Sequence, residues 1–141
     1  MYLKLMKAVV HFDGGCRPNP GLGSYGYKVD ICKTKDIYKN GGLIGHATSN
    51  IAEYCGLISA LRKCLSLGVT NVTIYGDSKL VIQQVYRRWK TKNKKLKVLR
   101  VVVMKLLGQF NGWKMKWVPR EHNSHADSIA EEARHKEDSK S

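Results

Sequence analysis

The stretch Ala8-Val9-Val10-His11-Phe12-Asp13-Gly14-Gly15-Cys16-Arg17-Pro18-Asn19-Pro20-Gly21 decides the fold. An apolar run from Ala8 to Asp13 meets a series of Gly, Pro and Asn, residues that favour turns and should break a strand. The expectation is a first strand ending on a carboxylate, Asp13. Beyond it, Ser24 to Ile31 and Ile37 to Ile44 alternate small, aromatic and β-branched residues on either side of the polar turn Lys33-Thr34-Lys35-Asp36. That pattern predicts two more strands in an antiparallel meander.

Further along, Ile51, Tyr54, Cys55, Ile58, Leu61 and Leu65 recur at helical spacing, with Ser49 or Asn50 as the cap and Gly68 as the stop. Val69 to Tyr75 is β-branched and ends at Gly76-Asp77-Ser78, after which Leu80, Val81, Val85 and Tyr86 suggest a short helix capped by Asp77 or Ser78. Trp89 to Lys97 reads as a basic linker, Leu96 to Phe110 as an amphipathic helix, and Trp113 to Val118 as a last strand. Trp113, Met115 and Trp117 share one face of that strand and read as packing residues. A final helix is expected from about His125 to Arg134. The order β-β-β-α-β-α-α-β-α implies an α/β fold, a mixed five-stranded sheet flanked by helices. Residues 1–135 are expected to form a single domain and 136–141 a polar, disordered tail.

The chain has 141 residues, 43% of them apolar, and 25 Lys plus Arg against 11 Asp plus Glu give a formal charge of +14. One modest core is the consequence of the length, and a polyanionic partner is the consequence of the charge. No apolar run is long enough for a membrane span or a signal segment. Cys16, Cys32, Cys55 and Cys64 lack metal-ligand spacing. A soluble, cytoplasmic, monomeric protein with reduced thiols and no membrane partner is therefore expected.

Four carboxylates stand where chemistry is done: Asp13 ending strand one, Glu53 in the first turn of the long helix, Asp77 ending the later strand, and Asp127 in the first turn of the last helix. Taken singly, each has an ordinary explanation as a turn former or a partner of the helix dipole. Placed together, their mutual repulsion is tolerable chiefly when divalent cations fill the gap, and oxygen-only ligands favour Mg²⁺ or Mn²⁺.

From about Lys7 to Arg134 the chain resembles type 1 ribonuclease H, in a compact variant without the full basic protrusion. The resemblance rests on Asp13 to Gly21 with Gly23 and Tyr25-Gly26, on Thr48-Ser49-Asn50-Ile51-Ala52-Glu53-Tyr54, on Tyr75-Gly76-Asp77-Ser78, and on Trp117-Val118-Pro119-Arg120-Glu121-His122-Asn123-Ser124-His125-Ala126-Asp127. It implies a ribonuclease H-like fold and an endonuclease acting on the RNA strand of RNA–DNA hybrids, leaving 5′-phosphate and 3′-hydroxyl ends. It also implies that Asp13, Glu53, Asp77 and Asp127 hold two Mg²⁺ ions, with Mn²⁺ as a substitute. One ion activates the attacking water and the other stabilises the leaving oxygen. His122, matching the family's loop histidine only loosely, is assigned to product release or proton shuttling.

The same resemblance places Gly14, Cys16, Asn19, Ser49 and Asn50 against the minor groove, where the 2′-hydroxyl marks RNA. It places Thr48 near a DNA phosphate. Ser49 stands where the family usually has the first Asn of a pair, and Ser49, Asn50 and Asn19 also fit plain cap and turn roles. The basic segment with Trp89, Lys92, Lys94 and Lys95 lies where family members handle the DNA strand, which predicts salt-sensitive affinity without base reading. Trp89 either stacks on a sugar or, the preferred reading, anchors the loop to the core. Two other readings stand beside hydrolysis: an inactive nucleic-acid-binding module, and DNA strand transfer or junction cleavage on the same sheet.

Overall fold

The computed structural model describes residues 4–138. Its elements are β1 (Lys7–Arg17), β2 (Gly21–Ile31), β3 (Ile37–Ala47), α1 (Ser49–Ser66), β4 (Asn71–Gly76), α2 (Lys79–Val85), α3 (Lys94–Leu107), β5 (Gly112–Trp117), a 3₁₀ turn (Arg120–Asn123) and α4 (Ser124–Asp138). The sheet order is β3-β2-β1-β4-β5. β1, β2 and β3 pair antiparallel, whereas β4 lies parallel to both β1 and β5. This is the mixed five-stranded sheet flanked by helices that the order of elements predicts.

Alternation along the strands explains the core. Ala8, Val10 and Phe12 of β1, Val72 and Ile74 of β4 and Met115 of β5 are buried on one face. Against them α1 lays Tyr54, Leu57 and Leu61, and α3 adds Val103 and Leu107 behind. Each fully buried side chain of this kind contributes roughly 1.5–3 kcal/mol of transfer free energy. Within the core the Tyr54 hydroxyl donates to Oε1 of Gln84 over 2.7 Å, tying α1 to α2. Burial pushes the Tyr54 hydroxyl up to about 12, so it stays a donor.

On the opposite face α4 packs over β2, β1 and β3. Gly26 makes that approach possible, because a Cβ there would stand 2.5 Å from the carbonyl oxygen of Ala126. Ser24 and Arg134 hold the contact: the Ser24 hydroxyl donates to the Ala130 carbonyl over 2.5 Å, and Nη1 of Arg134 donates to the same hydroxyl over 2.8 Å.

Several expected boundaries move. β1 does not stop at Asp13 but runs on to Arg17, because Gly14 and Gly15 keep ladder pairing with Tyr25 and Ser24 and only 18–20 turn. The cap of α1 is Thr48, whose hydroxyl accepts from the Ile51 N–H, so Glu53 falls in the second turn and not the first. Ser78 caps α2 in the same way. α3 starts at Lys94 behind an Asn93 cap, which converts part of the expected basic linker into a helical turn. α4 runs to Asp138, past the expected start of a disordered tail at 136, and 139–141 lie outside the described residues.

The aromatic expectations also change. Met115 is buried and Trp113 packs against the core, but Trp117 is 44% exposed and is no packing residue. Trp89 is 50% exposed. Trp117 is the last residue of β5, and Trp89 lies in the segment between α2 and α3.

Candidate active site

The parallel pairing of β1 with β4 aligns Phe12 with Gly76, so the next residues, Asp13 and Asp77, emerge side by side. α1 supplies the third carboxylate. Its backbone rests directly on β1 at Gly14, where a Cβ would overlap the carbonyl of Ala52, and this seat delivers Glu53 to the strand end. One carboxylate oxygen from each of Asp13, Glu53 and Asp77 lies within 4.8 Å of the others. Asp13 and Glu53 are buried and Asp77 is half-buried. Asp127, in the first turn of α4, stands just outside this trio with its Oδ1 3.4 Å from Nη2 of Arg120. Its charge still acts on both Asp13 and Asp77.

Crowding shows in the proton affinities. Burial first, then Asp127 and Asp77, raise the Asp13 carboxyl to about 7 against its ordinary 3.8, while a hydrogen bond shared with Glu53 opposes the rise. Burial, with the Asp13 charge and that shared bond behind it, pushes Glu53 well above the usual carboxylate range. Asp77 rises for the same first reason, tempered by a hydrogen bond from Asn123 and by the Arg120 charge. Glu53 Oε2 is buried with no hydrogen-bond partner. A hard divalent cation fits this donor set: oxygen ligands only, negative charge in excess, and an orphaned acceptor.

The cluster opens into a cleft of about 410 Å³ lined by Gly14, Gly15, Cys16, Arg17, Ser49, Trp117, Arg120 and Arg134 as well as the trio. One wall is pinned by Asn19, whose Oδ1 accepts from the Ser49 backbone N–H at 3.2 Å and from the Cys16 thiol at 3.4 Å. Ser49 Oγ and Cys16 Sγ are 3.5 Å apart. Thus Gly14, Cys16, Asn19 and Ser49 do meet beside the carboxylates. Thr48 uses its hydroxyl on its own helix, and Asn50 is half-buried on the first turn of α1. His122 is exposed on the 3₁₀ turn, where its backbone N–H donates to Pro119 and its ring has no hydrogen bond or ion pair among the described residues. Trp89 lies with Lys90, Thr91, Lys97, Arg87 and Arg100 around a separate recess of about 430 Å³. Lys92, Lys94 and Lys95 are exposed nearby.

Residues 11–133 match the reverse transcriptase-like family model. The N-terminal RNase H domain of Rv2228c from Mycobacterium tuberculosis is 40% identical, with a TM-score of 0.87 over 91% of this chain and 93% of that one. The chain belongs to the ribonuclease H family. It spans about a third of the full bifunctional mycobacterial protein, to which it is 41% identical over 129 residues. RNase H1 of Halobacterium salinarum is 37% identical, with a TM-score of 0.86 over 90% of this chain and 96% of that one. LC11-RNase H1, solved in complex with an RNA/DNA hybrid, is 28% identical with a TM-score of 0.83 over 89% and 95% of the two chains.

Two residues of this ribonuclease H site do not stand out in the sequence pattern. Asn123 is almost wholly buried. Its Nδ2 donates to the Phe12 carbonyl over 2.7 Å, and the residue also bonds the Asp77 carboxylate, so one amide positions both strand ends. Its polar neighbours in sequence hide it, and only its place just before the start of α4 hints at a structural role. Trp117 is the other: its Nε1 donates to the Asp77 carbonyl over 3.1 Å while Lys79 lies over its ring at 4.6 Å.

The raised proton affinity gives a signed expectation. A carboxyl with a folded value near 7 and an unfolded value near 3.8 lends stability below the lower value and loses it as pH rises through the higher. The metal-free domain therefore weakens on going from about pH 6 to pH 8 as far as Asp13 is concerned, and divalent cations compete with a proton there. Calorimetric titration with Mg²⁺ should show tighter binding at the higher pH, with proton release at the lower. Affinity independent of pH across that window would refute the assignment.

Proposed function

We propose that this domain is an endonuclease that hydrolyses the RNA strand of RNA–DNA hybrids and leaves 5′-phosphate and 3′-hydroxyl ends. The observation that carries the proposal is the convergence of Asp13, Glu53 and Asp77 within 4.8 Å, from β1, α1 and β4, in an open cleft. The relatedness to RNase H1 proteins, one of them solved with a hybrid, supports the same substrate.

In this reading Asp13, Glu53 and Asp77, with Asp127 beside them, hold two Mg²⁺ ions, for which Mn²⁺ substitutes. When bound, such ions neutralise the phosphodiester and lower the proton affinity of water. The remaining work falls to the chain itself. Asn123 fixes Asp77 against β1, and the close seat of α1 on Gly14 fixes Glu53. Bare backbone at Gly15 leaves room for a sugar edge, and Ser49, Cys16 and Asn19 form the wall that would face the 2′-hydroxyl. Lys94 and Lys95, at the positive end of α3, have no acidic residue in their first turn to compensate them, which suits a DNA phosphate. His122 in product release is an assignment that the exposed 3₁₀ turn permits by access alone. All four cysteines are free thiols, which suits a reducing compartment such as the cytoplasm. No helix among the described residues is long and apolar enough to cross a membrane. Action as a monomer belongs to the same proposal.

The deciding assay offers RNA–DNA hybrid, DNA duplex and four-way junction to the protein with Mg²⁺ or Mn²⁺. Cleavage confined to annealed RNA is expected. Hybrid bound but uncut with either metal would turn the domain into a binding module, and junction cleavage would move it to the strand-transfer class.

A further inference from the structure

The carboxylate cleft takes up one end of β1 and β4, and α4 packs on the second face of the sheet over the stretch that carries Ser24, Gly26 and Gly41. The rest of that face carries an ordered pattern. Because Val10, Phe12, Ile74 and Met115 point into the core, their neighbours His11, Tyr75, Lys114 and Lys116 point the other way. The register places Lys28, His11, Tyr75 and Lys116 in one row across β2, β1, β4 and β5. The next row is Asp30, Val9, Thr73 and Lys114, and Lys7 follows beside Asn71. At the centre the rings of His11 and Tyr75 stack, with centroids 5.2 Å apart and planes 24° apart. Lys114 and Lys116 are exposed. Against Lys7, Lys28, Lys114 and Lys116 these rows set a single acidic residue, Asp30, which pairs with Lys28 at 3.6 Å.

We propose that this open half of the sheet binds single-stranded nucleic acid. Unpaired bases stack on the exposed part of the His11–Tyr75 pair, while phosphates follow Lys114 and Lys116. Charge complementarity selects a polyanion, and the half-buried His11–Tyr75 ring pair beside those lysines offers aromatic surface to bases that are free to splay. A duplex buries the faces of its bases and would leave the rings unused. The row lies two residues before Asp13 and Asp77, about 6.6 Å along the strands, so the surface runs continuously toward the cleft without sharing its residues. It would hold an overhang or a displaced strand next to the hybrid.

The test uses fluorescence anisotropy with labelled oligothymidylate and oligouridylate, in chelator, so that binding is read without cleavage and independently of the hydrolytic proposal. Lys114→Glu combined with Lys116→Glu should weaken binding by about tenfold or more and flatten the salt dependence by about 0.7 for each phosphate no longer neutralised. Tyr75→Leu keeps apolar bulk without a ring and should weaken binding by about tenfold, whereas Tyr75→Phe should stay within about twofold. Binding of one oligonucleotide but not the other supports the proposal and shows which of the two chains the surface prefers. No binding of either, unchanged affinity in the lysine variant, or equal affinity of Tyr75→Leu and wild type would overturn it. The last outcome would mean that the surface holds phosphates by charge alone and that the rings take no part. Thermal melts of each variant separate lost binding from lost folding.

Discussion

Asp13→Asn should reduce hybrid cleavage by on the order of 10³-fold or more while leaving hybrid affinity in chelator within about twofold. Asp13 occupies the middle of the carboxylate group, in touch with Glu53 and under the charges of Asp77 and Asp127. The amide keeps the shape but removes a negative ligand, and a hard divalent cation loses both charge and an oxygen donor. In the proposed function, substrate affinity comes largely from exposed lysines that the change does not touch. A stability readout separates this account from general damage. At about pH 8 the metal-free wild type holds an ionised, crowded Asp13, so the neutral variant should be more stable by on the order of 1–3 kcal/mol. A thermal midpoint several degrees higher would register that difference. An active Asp13→Asn protein, or an inactive one with a lowered midpoint at that pH, would contradict the role given to the residue.

Gly14→Ala should be the most damaging methyl group that the chain can receive near the site. A Cβ at Gly14 overlaps the carbonyl carbon and oxygen of Ala52 and reaches to 2.5 Å from the Glu53 N–H nitrogen. Backbone meets backbone there, so no side chain can swing aside and α1 itself must shift. Overpacking of this kind costs about 3 kcal/mol. The shift also carries Glu53 away from Asp13, so metal affinity should fall even in the fraction that folds. Gly15→Ala is the matched comparison, since its Cβ would meet only Nη1 of Arg134 at 3.4 Å, and it should stay within about 0.5 kcal/mol. Urea midpoints and Mg²⁺ titrations of the two variants measure both effects. Equal midpoints for the pair would show that α1 does not bear on β1 as described.

The positions of Asp13, Glu53 and Asp77 were legible in the sequence because each sits where a periodic segment ends or begins, and such places repeat in any reading of pattern. The course of β1 beyond Asp13 was not. Gly14 and Gly15 look like turn residues, and only their pairing with Tyr25 and Ser24, with α1 seated on Gly14, shows that the chain stays extended. The place of Asn123 was hidden for a related reason: an amide among polar neighbours gives no sign that it will be buried between two strands. Trp117 misled through its period-2 spacing, which describes the middle of β5 and not its exposed end. Asp127 was found on the expected helix turn, but its pairing with Arg120 depends on how the 3₁₀ turn folds the intervening residues.

Asp13, Glu53, Asp77 and Asp127 come from elements that span most of the chain, and the parallel neighbours β1 and β4 can meet only after the long crossover through α1 has docked. A fragment released early from the ribosome, or one clipped between β4 and β5, therefore carries the lysines but not the complete acidic centre. In the proposed function, such a product lacks the helix that brings Asp127, and the acidic centre is complete only once α4 has been made.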